Sequence, residues 1–121
     1  MTVLVWLGVA LAGGIGAVAR FVVDSSVASR RGRDFPYGTL VVNVSGAALL
    51  GLLTGVVLSD DAALVAGTGV IGAYTTFSTW LFETERLSEE REPANAAMNI
   101  VISLILGVAA AALGKAIGAR L

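Results

Sequence analysis

Four apolar runs divide this chain, at residues 2–23, 37–58, 62–82 and 94–117, with charges collected in the short stretches between them. At 1.5 Å of rise per residue, about 20 residues cross a bilayer core, so each run predicts one transmembrane helix. The first run is apolar until Arg20 and reads as a membrane helix, not as a cleaved signal peptide. No basic residue precedes it, and it is longer than a signal's apolar core. Its small residues Gly8, Ala12, Gly13, Gly14 and Gly16 would let another helix approach closely. Arg20, near the far end, either snorkels to the interface as a topology anchor or attracts anions in a vestibule. Residues 24–35 form a polar loop with Arg30, Arg31 and Arg33, and Pro36 suits the first turn of the second helix. In that helix Asn43 is a lone amide that needs a partner on a facing helix, a ligand or water. Gly51 and Gly55 form a GxxxG packing pair. Asp60 and Asp61 mark a very short turn, which makes the second and third spans an antiparallel hairpin.

The third run departs from the pattern at Gly72-Ala73-Tyr74-Thr75-Thr76-Phe77-Ser78-Thr79-Trp80. Hydroxyls there offer the backbone alternative hydrogen bonds and Gly relaxes it, so the segment predicts a broken helix. An unpaired backbone carbonyl in hydrocarbon costs several kcal/mol, so a break at that depth persists only where protein, ion or water satisfies it. The segment is therefore the candidate functional centre. Phe77 and Trp80, three apart, share a face if the helix resumes. Residues 83–93 read as a solvated, charged connection. In the fourth run Asn99, Ser103 and Gly107 recur at intervals of four and draw one polar or small stripe down a helix face.

Composition narrows the function. With 56% hydrophobic and 14% charged residues and a mean hydropathy of +0.85, the chain is too apolar for a soluble domain of 121 residues. It contains no cysteine and no histidine, which removes disulfides, thiolate nucleophiles, imidazole bases and the usual transition-metal ligands. A net charge of −1 gives a nucleic-acid partner no electrostatic support. There are no paired carboxylates in a span, no nucleophile with a base and no phosphate-cradling loop, so the chain does not read as an enzyme. What remains is neutral donors and aromatics on buried faces, with one arginine near an entrance. Such a lining suits an anion better than a cation, because hydroxyls and amides replace lost hydration and ring edges are weakly positive.

At the residue level, the 72–80 segment resembles the GxxTTFSTF signature of the Fluc (CrcB) fluoride channels. Gly13-Gly14-Ile15-Gly16-Ala17-Val18-Ala19-Arg20-Phe21 looks like that family's glycine-rich start, and Asn43-Val44-Ser45-Gly46 is similar to its N-x-x-G element. Three separated motifs in register, across essentially the whole chain, make the resemblance specific. It implies an all-α membrane protein: one four-span domain over residues 1–121, the third helix broken near the midplane, paired as an antiparallel dual-topology dimer. It implies two fluoride pores along the subunit interface, and a structural, untransported sodium ion held by the backbone carbonyls of Gly72 and Thr75 of each subunit. By motif position, Asn43, Phe77, Trp80, Ser78, Thr79 and Ser103 border the fluoride path and Arg20 stands in the vestibule. Trp80 departs from the family's phenylalanine, being bulkier and carrying an N–H donor. The implied role is passive export of cytoplasmic fluoride through the cell membrane of a bacterium or archaeon, aided by the negative interior.

The arginines add an expectation of their own. Arg30, Arg31, Arg33, Arg86 and Arg91 lie in the loops of one side, and Lys115 and Arg120 on the other. The positive-inside rule then puts those loops in the cytoplasm and both termini outside. A strict dual-topology homodimer would show less bias, so pairing with an oppositely biased paralogue stands behind the homodimer as a second form of the dimer. Two rival classes lack support in the spans. A small multidrug-resistance type antiporter needs a membrane-embedded carboxylate that these spans lack. A non-transporting membrane assembly protein would need no polar break in the third span.

Overall fold

The computed structural model describes residues 2–121, and every regular element among them is a helix. Helix α1 (Val3–Arg31) starts at Thr2, whose Oγ1 accepts from the Val5 N–H at 3.3 Å. It runs on through residues 24–31, where the polar sequence predicts a loop. Neither Gly nor Pro interrupts that stretch, and Arg30 and Arg31 suit the negative end of the helix dipole. Gly32 ends it with a φ of 78°, its N–H donating to the Ala28 carbonyl at 2.8 Å. Helix α2 (Tyr37–Gly55) follows directly on Pro36.

The turn after α2 is made by residues 56–59, not by the aspartates. Ser59 Oγ accepts from the Ala62 N–H at 3.2 Å and caps α3 (Asp60–Ala63). Asp60 and Asp61 occupy its first turn, where carboxylates meet the positive end of the dipole. From α3 the chain passes without a gap into a π-helical segment (Leu64–Ile71) and then into α4 (Gly72–Tyr74). Residues 75–77 leave the helix, α5 (Ser78–Glu89) resumes it, and α6 (Pro93–Gly118) opens on a proline in its first turn. The 83–93 stretch is thus helical as far as Glu89.

Small residues set the packing. Gly51 and Gly55 of α2 face Gly114 and Gly118 of α6, and the two backbones nearly touch. A Cβ on Gly51 would collide with the Ala111 carbonyl oxygen, and one on Gly114 with that of Ala48. Close approach of this kind gives dispersion contact where no hydrophobic drive separates helix from lipid. Helix α1 lies against the π segment and α4 in the same way. A Cβ on Gly16 would meet the Val70 carbonyl, and Gly69 sits against Ala12. Helix α5 packs on α6.

Little of the core is large. Leu87 and Val42 are the large apolar side chains buried completely, while Trp6, Leu11, Phe21, Leu104 and Val108 stand exposed. Helices α1, α2 and α6 are each long and apolar enough to cross a membrane. An apolar exterior over a small-residue interior marks a multi-pass membrane protein whose solvent is lipid.

The α2–α6 seam predicts a graded response. Gly114→Leu should destabilise the fold by about 1–3 kcal/mol through overpacking, read as a lower thermal midpoint in detergent. Gly14→Leu, which meets open space within 4 Å, should leave the midpoint unchanged.

Candidate functional site

The departure from helix at residues 75–77 is local and fully specified. Thr75 takes an extended conformation, φ −80° and ψ 160°, while its N–H and its Oγ1 both donate to the Ile71 carbonyl, at 3.0 and 3.1 Å. Thr76 then turns to another helix. Its N–H donates to Asn43 Oδ1 at 2.9 Å, and Asn43 Nδ2 donates back to the Thr76 carbonyl at 2.8 Å. Thr76 Oγ1 accepts from the Thr79 N–H at 3.2 Å and so starts α5. Of the partners open to Asn43, the structure supplies a backbone. One turn along, Gly46 has no Cβ because Thr75 Cγ2 occupies that space. Between them the Tyr74 hydroxyl meets Ser45 Oγ at 2.8 Å.

With the Thr76 N–H spent on Asn43 and the Thr79 N–H on Thr76 Oγ1, the carbonyls of Gly72 and Thr75 lose their helical donors. No other donor among the described residues bonds to either. Two bare carbonyl oxygens three residues apart are hard, neutral ligands suited to a hard cation. No cluster of acidic, histidine or cysteine side chains able to hold a metal exists among the described residues.

Two cavities meet at the interruption. The first, about 320 Å³, is bordered by Asn43, Thr75, Thr76, Phe77, Trp80 and Ser103 together with small and aliphatic residues, none of them ionisable. The Phe77 and Trp80 rings stand 5.7 Å apart, tilted by 58°. Trp80 Nε1 donates to the Asn99 carbonyl at 3.3 Å, and Thr84 Oγ1 donates to the Trp80 carbonyl at 2.9 Å. Asn99, fully buried, donates from Nδ2 to Thr84 Oγ1 at 2.9 Å, which closes the seam between α5 and α6. Ser103 Oγ is buried and has no hydrogen-bond partner.

The second cavity, about 260 Å³, holds Arg20, Asp24, Thr39, Thr76 and Thr79. Thr76 therefore borders both. Arg20 shares its cavity with a carboxylate, Asp24, which also pairs with Arg33 at 3.6 Å. Ser78 is exposed and borders neither cavity, and Gly72 is exposed as well. Thr39, Thr84 and Asp24 had no signal in the sequence beyond their polarity. Glu83, which the charged sequence around it predicts in a solvated loop, is half-buried and accepts from Thr39 Oγ1. Burial raises its pKa above the ordinary 4.5, and the Thr39 bond opposes that shift.

Two outcomes follow from this geometry. Asn43→Leu leaves the Thr76 N–H and C=O without partners at about 1–3 kcal/mol each, so the thermal midpoint should fall and the Thr76 amide should lose its protection from hydrogen exchange. Glu83 binds its proton more tightly in the folded chain than in the unfolded one. Its contribution to stability is complete below 4.5 and is lost as pH rises through the higher folded value. Glu83→Gln should therefore remove part of the gain in thermal midpoint that the parent chain shows on acidification from neutral pH toward 4.5.

Comparison with known proteins bears on the same residues. Residues 7–115 match the family described as CrcB-like protein, Camphor Resistance (CrcB). A relative named Fluoride-specific ion channel FluC 2, from Mycobacterium bovis, is 63% identical over 115 residues, covering 95% of this chain and 91% of its own length. One of the same name from Mycolicibacterium paratuberculosis is 64% identical over 114 residues, 94% of this chain and 93% of the relative. Fluoride-specific ion channel FluC 1 from Leifsonia xyli is 44% identical over 122 residues, 98% and 89% respectively. With its helix interruption, its apolar exterior and these matches along nearly its full length, the chain belongs to the CrcB-like family.

Proposed function

We propose that the chain is a channel through which fluoride leaves the cytoplasm passively, keeping its concentration in the cell low. One observation carries the reading: the cavity beside the helix interruption offers amide, hydroxyl and ring-edge groups and no ionisable side chain. Fluoride holds its water tightly, so a path for it must replace that water with donors at each step while binding weakly enough to release the ion. A proton-coupled cation exporter would need a carboxylate there. The relatives' printed names, fluoride-specific ion channels, support the same ion.

On this reading residues 1–121 are one four-span domain of the cell membrane. Residues 62–82 make the third crossing, broken near the midplane at residues 75–77. Asn43, Phe77, Trp80, Thr79 and Ser103 border the fluoride path, and Arg20 draws the anion into a vestibule whose positive charge Asp24 partly offsets. Phe77 is 67% exposed beside the cavity, and Gly72 and Ser78 are exposed too, which suits a wall completed by a second, antiparallel subunit. That subunit is a second copy of the chain or, given the uneven arginines, a paralogue. The bare carbonyls of Gly72 and Thr75 fit a structural sodium ion shared between the two subunits. Bound there, sodium would supply a fixed positive charge at the centre of the dimer and would not be transported.

Purified chain in liposomes loaded with fluoride should release it to an external fluoride electrode far faster than it releases chloride. Phe77→Ile should abolish release while the dimer remains intact on size-exclusion chromatography. An unchanged rate in that variant would overturn the role given to the ring.

A further inference from the structure

A groove runs between α2 and α6 on the side of both helices turned away from the interruption. Its mouth is a cavity of about 410 Å³, bordered by Arg31, Asp34, Tyr37 and Asn95 and, a turn or two further along the helices, by Leu40, Met98 and Ile102. Leu40 also borders an adjoining cavity of about 320 Å³, which continues past Val44 and Ala48 to Leu106 and contains no ionisable group. Met98, Ile102 and Leu106 stand four apart and so line up along α6. From Asn95 to Leu106 the helix rises about 16 Å, close to one leaflet of a hydrocarbon core about 30 Å thick. Tyr37 at the mouth suits the depth of the headgroups. Neither cavity shares a residue with the one beside Phe77. Val41, in the groove, lies about 160° around α2 from Asn43, and Met98 about 140° around α6 from Ser103.

The mouth carries one charge of each sign. Arg31 and Asp34 pair neither with each other nor with any other charged side chain among the described residues. Arg31 lies instead over the Tyr37 ring, 5.7 Å from its centre, a contact that places the guanidinium without spending an N–H. The Asn95 carboxamide adds a neutral donor beside it. We propose that this groove binds one phospholipid of the bilayer with a zwitterionic, primary-amine headgroup, phosphatidylethanolamine: Arg31 and Asn95 hold its phosphate, Asp34 accepts from its ammonium, and an acyl chain lies along the stripe from Met98 to Leu106. Basic pockets between membrane helices bind anionic headgroups. Here the carboxylate next to the arginine opposes a purely anionic lipid and matches one that carries both signs. A choline headgroup is zwitterionic too, but its quaternary ammonium has no N–H to give Asp34. The apolar length of the groove supplies fit and not preference, since an acyl chain entering it from the bilayer leaves no water behind. Selectivity therefore resides at the mouth. Nothing in this assignment depends on which ion the chain conducts.

Native mass spectrometry of the full chain in detergent, given equal amounts of palmitoyl-oleoyl phosphatidylethanolamine, phosphatidylcholine and phosphatidylglycerol, tests this. The parent chain should retain phosphatidylethanolamine about tenfold more tightly than either competitor, the weight of one hydrogen bond to a charged group. Equal retention of the three, or a preference for either competitor, would overturn the proposal. Arg31→Gln should lose the preference altogether. Asp34→Asn leaves the cation without its opposing charge and should now favour phosphatidylglycerol. If either variant keeps the parent's order of lipids, the roles given to the two charges are wrong. Both residues are exposed, so these variants should hold the parent's thermal midpoint. Ile102→Trp fills the groove and should abolish the preference while leaving the oligomer unchanged on size-exclusion chromatography. A smaller oligomer in that variant would put the partner subunit in the groove in place of the lipid, and the proposal would fall.

Discussion

Two hydrogen bonds between the Asn43 carboxamide and the backbone of Thr76 allow a helix to stop and restart within an apolar fold. A carboxamide presents one acceptor and one donor edge, the same pair a peptide group presents, so it replaces the missing helical partners without charge. The freed carbonyl of Gly72 descends from that exchange, while the Thr76 hydroxyl, held at the point where two cavities meet, starts α5 and frees the carbonyl of Thr75. The neighbouring rungs along α2 work with it. Gly46 makes room for Thr75, and Ser45 receives Tyr74, so α2 holds the departing chain at three points, Asn43 and Gly46 on one face and Ser45 around the helix from them.

The remainder of the fold gives this face a fixed frame at small cost in side-chain volume. Glycines on α2 and α6 bring two backbones into contact, and those on α1 do the same for the π segment. Such seams tolerate almost no added atom, so they hold helix positions closely even though few large side chains are buried. In lipid, where leucine gains nothing by moving from the outside to the inside, contact area between backbones is the available source of cohesion.

Much of this was legible in the residues. The apolar runs locate α1, α2 and α6, and the hydroxyl-rich signature marks where regular helix gives way. Gly51 and Gly55 were visible as a packing pair, but their partners Gly114 and Gly118 were not, because a GxxxG spacing does not say what it faces. The helical extension to Arg31 was hidden by polarity, which signals water and not loop. Glu83 looked solvated among other charges because its bond to Thr39 joins residues 44 apart in sequence.

The π segment was unforeseen as well, since nothing in Leu64–Ile71 favours it locally. A widened turn holds one more residue than an α-turn over the same rise, and it rotates all that follows about the axis. The helical run can therefore absorb a surplus residue without growing longer and without displacing its ends. A residue gained or lost in that segment would therefore show itself only as a change in which side chains look inward on either side of it.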